Sequence, residues 1–107
     1  MSRLLHRLLA LGGLALFGGA AGASTPAMAE PLRIVAFGDS LTAGYGLPAS
    51  KSFAVRLQDA LRAKGHDVVI VNAGVSGDTT SAGLARLDWS IPDGTDGVIL
   101  ELGANDA

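Results

Sequence analysis

Three short apolar runs, Leu32 to Phe37 (LRIVAF), Val68 to Val71 (VVIV) and Gly97 to Leu102 (GVILEL), each give way abruptly to small or polar residues. They are rich in β-branched residues and do not alternate, which is the pattern of strands buried on both faces. Between the first two, Ser52 to Lys64 places Phe53, Leu57, Ala60, Leu61 and Lys64 on one helical stripe, with Gln58, Asp59 and Arg62 turned outward. Gly65 then stops the helix. Between the second and third runs, Thr79 or Thr80 can cap a helix reaching about Leu87, with Leu84 and Leu87 inward, before Pro92-Asp93-Gly94 breaks the chain. The order β-α-β-α-β predicts an α/β fold with parallel strands joined by right-handed crossovers. If the second and third strands flank the first, the helices cover opposite faces and the strand C-termini meet at a topological switch point, where ligands bind.

All three strand ends carry candidate chemistry: Gly38-Asp39-Ser40, Asn72-Ala73-Gly74 and Gly103-Ala104-Asn105-Asp106. Ser40, at a Gly-containing turn, is held where a serine nucleophile would need to be, with its backbone N–H free to face a bound group. The plainer alternative is that Asp39 and Ser40 only cap the next helical turn. Gly77, in Val75-Ser76-Gly77-Asp78, can offer an unobstructed N–H, and Asn105 can aim its side-chain NH₂ at the same crevice. Together with the Ser40 N–H these make three neutral donors around one point, which suits a developing oxyanion.

At these residues the chain resembles a known family. Phe37-Gly38-Asp39-Ser40-Leu41-Thr42 is similar to the GDSL block of the SGNH hydrolases. Asn72-Ala73-Gly74-Val75-Ser76-Gly77-Asp78-Thr79 is similar to their second block, and Leu102-Gly103-Ala104-Asn105-Asp106 to their GxND block. The stretches GDTT, GLARL and ELGAND look like the exported bacterial arylesterase, thioesterase and lysophospholipase branch. The resemblance implies a flavodoxin-like three-layer α/β/α fold and hydrolysis of a small acyl ester, thioester or lysophospholipid. Ser40 would be the nucleophile, with Ser40 N–H, Gly77 N–H and the Asn105 side chain as oxyanion donors. No metal and no organic cofactor is implied.

The family completes its site with an Asp and a His in a D-x-x-H block near the C-terminus, and no such block occurs here, so the chain is expected to be the N-terminal part of a longer hydrolase, inactive alone. His6 and His66 are the only histidines. About five residues at roughly 3.3 Å each place His66 at the far end of the sheet from Ser40, beyond the reach of a general base. Asp39, Asp78 and Asp106 lie near the crevice, but an ordinary carboxylate is a weak base for a serine hydroxyl at neutral pH. Turn capping and support of the donor loops suit them better. Tyr45, Leu47 and Trp89 are candidates for an acyl pocket or plain apolar residues.

Three rival readings use the same residues. Gly44-Tyr45-Gly46-Leu47-Pro48-Ala49 fits the G-x-G-x-x-A of a nucleotide-binding module, but it begins six residues after Gly38, and the second strand ends in Asn72 where an acidic ribose ligand belongs. Asp39 at a strand end could be a phosphoryl acceptor, but Leu41 stands where a second, metal-binding Asp is wanted. A non-catalytic, lipid-binding or inert product is the third.

The first 29 residues have a different character. Arg3, His6 and Arg7 precede the uncharged Leu8 to Ala23, and Ala27-Met28-Ala29 is an A-x-A cleavage pattern, together the design of a secretory signal peptide. A stable membrane anchor is not expected, because the apolar core is about 16 residues long, a span wants roughly 20, and it contains five glycines. Without Arg3 and Arg7 the formal net charge falls from −2 to −4, so neither nucleic acid nor an anionic membrane surface is an expected partner. With no cysteine there are no disulfides, Cys zinc sites or thiol nucleophile. Oligomeric state is not legible in the sequence. The chain is thus expected to be exported, to the periplasm or beyond, with its domain beginning at Glu30. Mass spectrometry of exported material should show an N-terminus at Glu30, and a chain still beginning at Met1 would contradict cleavage.

Overall fold

Pairing of one central strand with two neighbours organises the unit Pro31–Ala107. The computed structural model describes residues 29–107; the leader expectation rests on residues 1–28 and lies outside the described residues. Strand β1 (Leu32–Gly38) is followed by a one-turn helix α1 (Ser40–Ala43), a 3₁₀ turn (Ala49–Lys51), α2 (Phe53–Ala63), β2 (Val68–Gly74), α3 (Thr80–Ser90) and β3 (Gly97–Glu101). The sheet order is β2-β1-β3 and both pairings are parallel. This is the expected α/β arrangement with the first strand in the middle.

Side chains alternate across β1, so each face of the sheet meets a different helix. Ala36, Val68 and Ile70 are buried with Ala54 of α2, and Ile34, Leu57 and Leu61 pack against them. Phe37, one residue on from Ala36, lies on the opposite face, beneath Gly83 and Arg86 of α3. The helices therefore cover opposite faces, giving three layers. Among the described residues no helix is long and apolar enough to cross a membrane.

Helix α2 is capped at its start by Ser52, whose hydroxyl accepts from the Val55 N–H at 3.5 Å. Of its expected inward stripe Leu57 and Leu61 do pack on the core, but Phe53, Ala60 and Lys64 are exposed, and Ala54 is buried in place of Phe53. Asp59 and Arg62 are exposed, as expected, whereas Gln58 is half-buried, and both Gln58 and Arg62 reach the backbone of β2. Gln58 Oε1 accepts from the Ile70 N–H at 2.9 Å, and Arg62 Nε donates to the Val68 carbonyl at 2.9 Å. Because β2 is a sheet edge, these outward backbone groups have no strand beside them, and two polar side chains of α2 satisfy them.

Strand β2 runs three residues past Val71, because Asn72, Ala73 and Gly74 continue in register with Ala36, Phe37 and Gly38. Helix α3 is capped by Thr79, whose hydroxyl accepts from the Ala82 N–H at 3.1 Å. Leu84 and Leu87 are not inward as expected; they are 73% and 37% exposed, and Gly83 and Arg86 are the buried positions. Glycine decides this rotation. A Cβ at residue 83 would lie 2.5 Å from Leu102 Cδ1 and 3.3 Å from Phe37 Cε1, so the helix comes closest to the sheet where no side chain stands. On that face of β3, Val98 and Leu100 are exposed.

Gly83→Val should therefore overpack the α3–sheet contact and destabilise the fold by roughly 1 to 3 kcal/mol. Urea unfolding monitored by circular dichroism measures this, and an unchanged midpoint would show that α3 is not packed through residue 83.

Candidate active site

Parallel register brings the three strand C-termini side by side, with Gly38 paired to Gly74 on one side and Glu101 on the other. The loops that follow, Asp39-Ser40, Val75 to Asp78 and Leu102 to Asp106, therefore start from one edge of the sheet.

The first loop is a helix start under tight control. Asp39 is fully buried, and its Oδ1 accepts from the Leu41 N–H at 3.0 Å, which makes it the N-cap of α1. Ser40 is then the first residue of that turn, and no carbonyl within the helix can serve its N–H. The Ser40 hydroxyl is half-buried and has no hydrogen-bond partner among the described residues. Asp39 thus caps, as the plainer alternative has it, and Ser40 keeps an unengaged hydroxyl and N–H.

Gly77 sits in a turn closed by the Asp78 N–H donating to the Val75 carbonyl at 3.1 Å. Its φ of +87° at the third position of that turn favours glycine. A side chain there would meet nothing within 4 Å, so backbone conformation and not crowding selects glycine. Asn105 joins the second loop to the third: its Nδ2 donates to the Asp78 carbonyl at 3.0 Å and lies 3.5 Å from Asp39 Oδ2. The second contact is at the limit for a hydrogen bond, so one amide hydrogen is only weakly engaged.

The three carboxylates are all structurally occupied. Asp39 caps α1; Asp78 Oδ2 accepts from Arg86 Nε at 2.6 Å. Asp106 accepts from the Thr80 N–H and hydroxyl, each at 2.8 Å, fastening the third loop to the start of α3. Among the described residues no three His, Cys, Asp or Glu side chains are grouped to hold a metal ion.

Sequence reasoning missed two side chains here. Glu101 Oε1 accepts from the Thr42 hydroxyl at 2.9 Å and from the Asp39 N–H at 3.3 Å, pinning the Ser40 turn to β3. Its signal was visible as a carboxylate inside the otherwise apolar GVILEL, where burial demands a partner. Arg86 is 8% exposed and reaches the Gly38 carbonyl through Nη2 at 3.0 Å. A charge three residues after a glycine on the same helical face gave no comparable signal.

The remaining candidates fall away from this edge or stay open. His66 precedes Val68, which pairs with Leu32 at the opposite end of the sheet from Gly38, and it is the only histidine among the described residues. Gly44 closes α1 and Gly46 lies in the next turn, while Ser52 opens α2, so the G-x-G-x-x-A stretch does not begin a helix as a nucleotide site requires. Leu41, Tyr45, Leu47 and Trp89 are exposed.

Comparison with known proteins agrees with this arrangement. The GDSL-like Lipase/Acylhydrolase family matches residues 36–107. An arylesterase of Vibrio mimicus is 49% identical over 75 residues, covering 69% of this chain and 38% of the relative. Thioesterase 1/protease 1/lysophospholipase L1 of Escherichia coli is 42% identical over 81 residues, covering 75% and 36% respectively. The crystal structure of AlinE4, an SGNH-hydrolase family esterase, superposes with a TM-score of 0.69 at 51% identity, covering 75% of this chain and 44% of that one. The chain thus spans less than two-fifths of the length of these curated relatives. With the match running through all three strand-end loops, the chain belongs to the GDSL-like lipase/acylhydrolase family.

Proposed function

We propose that residues 30–107 carry the nucleophile and the oxyanion donors of a serine hydrolase that cleaves small carboxylic esters or thioesters. The observation that supports this most is the junction of the three strand-end loops, in which Asn105 bonds the Gly77-Asp78 turn beside the Ser40 turn. Ser40 Oγ would attack the acyl carbon and lose its proton to a base. The negative charge arising on the carbonyl oxygen would be met by the N–H groups of Ser40 and Gly77 and by Asn105 Nδ2. The C–O or C–S bond then breaks, the leaving group takes the proton, and water releases the acid from the Ser40 ester. Losing one such donor typically costs about 10² to 10³ in rate.

Names of the relatives support the substrate class, since they include an arylesterase and a thioesterase/lysophospholipase. Export, with removal of the leader, is part of the same proposal and rests on the A-x-A pattern and its apolar run. Residues 29–107 supply no base beside Ser40, because His66 stands at the other end of the sheet. A catalytic His would have to come from beyond these residues.

By itself the 107-residue chain should give negligible turnover of p-nitrophenyl acetate. Continued by the portion of the Vibrio mimicus arylesterase that follows the matched segment, it should hydrolyse the ester, and Ser40→Ala should remove at least about 10³ of that rate. Turnover by the chain alone that disappears in Ser40→Ala would overturn the missing-base assignment. A fusion whose activity is unchanged by Ser40→Ala would overturn Ser40 as nucleophile.

A further inference from the structure

We propose that Arg86 is a positioning residue of this site, holding the Gly77-Asp78 turn in place against the end of β1. The proposal rests on the reading of the Ser40 and Gly77 N–H groups as oxyanion donors. Arg86 makes three directed hydrogen bonds: Nε to Asp78 Oδ2 at 2.6 Å, Nη2 to the Gly38 carbonyl at 3.0 Å and Nη1 to Ser90 Oγ at 3.1 Å. Its Cζ lies 4.1 Å from the centroid of the Phe37 ring. One planar group therefore contacts the residue after Gly77, the residue two before Ser40, and the core side chain beneath both. No other side chain among the described residues hydrogen-bonds both the Asp78 carboxylate and β1.

The Gly77 turn needs such a hold, because it has no packing of its own. Gly77 and Ser76 are exposed, and the space around residue 77 is open. At its first residue the turn is tied to β1 by the Val75 N–H, which donates to the Gly38 carbonyl at 2.9 Å; beyond this and its own closing bond, what restrains its far side is attached to Asp78: Asn105 on the carbonyl and Arg86 on the carboxylate. Asn105 is itself exposed, whereas the Arg86 and Asp78 side chains are 9% and 12% exposed. The buried partner is the stiffer of the two. Burying a guanidinium is costly, and an apolar residue would fill the same place over Phe37 with less desolvation. What an apolar residue cannot do is bridge the Asp78 carboxylate and the Gly38 carbonyl. Lysine cannot replace the fork either, since it offers a point charge on a flexible stem.

The proposal is tested on the full 107-residue chain by ¹⁵N relaxation, comparing wild type with Arg86→Gln, Arg86→Lys and Asp78→Asn. In wild type the Gly77 N–H should be as rigid as Val35 to Phe37, with an order parameter near about 0.85. In each variant it should fall below about 0.6 while β1 is unchanged. Asp78→Asn leaves Arg86 over Phe37, so it reads the tether even if an Arg86 variant unfolds. In the arylesterase fusion described above, each variant should lower kcat at least about tenfold with KM within about twofold. Arg86→Gln combined with Asp78→Asn should be no worse than either alone. A Gly77 that stays rigid in the variants, or an unchanged kcat, would overturn the role of Arg86. A folded wild-type fusion without activity would overturn the hydrolase reading instead, and the order parameters would then decide the tether alone.

Discussion

The parallel pairing of β1 with strands on both sides is the constraint on which everything else depends. Because Gly38 is level with Gly74 and Glu101, three loops distant in sequence leave the sheet from one edge. An antiparallel neighbour would have delivered its loop to the opposite end. With its edges taken by β2 and β3 and helices on its two faces, the second half of β1 is fully buried, and its one charge, Arg33, stands near its exposed start.

Apolar burial builds the layers, but polar contacts set the site. Val35, Ala36, Phe37, Ala54 and Val68 make the small core that holds helices to sheet. Above it, Glu101 receives the Asp39 N–H and the Thr42 hydroxyl, Arg86 reaches the Gly38 carbonyl, and Asp106 fastens to Thr80. No buried side-chain polar atom among the described residues lacks a partner. Networks satisfied in this way rigidify what they touch, and here they touch the residues flanking Ser40 and Gly77. Rigidity at these places suits a site that must present fixed dipoles to a charge formed during reaction.

Much of this was legible in the sequence, for a physical reason. Uniformly apolar runs ending in glycine announce buried parallel strands, and the alternation of strand and helix then leaves few topologies. That Ser40, Gly77 and Asn105 stand in loops leaving the same end of the sheet was legible for the same reason, since a switch point gathers whatever stands there. What failed was the facing of helices. Leu84 and Leu87 have the spacing of an inward stripe, but α3 turns Gly83 and Arg86 to the sheet, because close approach at glycine outweighs the burial of two leucines. That Gln58 and Arg62 bond the backbone of β2 was not legible, because nothing in a local pattern shows that β2 is an edge with backbone groups to satisfy. Arg86 escaped notice on the same ground: its partners lie 8 and 48 residues away.

In the proposed hydrolase, Ser40 N–H, Gly77 N–H and Asn105 Nδ2 face one point. The most direct measurement is a ¹H–¹⁵N spectrum of the chain titrated with methylphosphonate, a tetrahedral anion that resembles the charged intermediate of acyl transfer. These three resonances should move together with one saturation constant, while Gly65 and Gly94, away from the strand C-terminal edge, stay still. Movement of one donor without the others, or of none, would contradict a common oxyanion site.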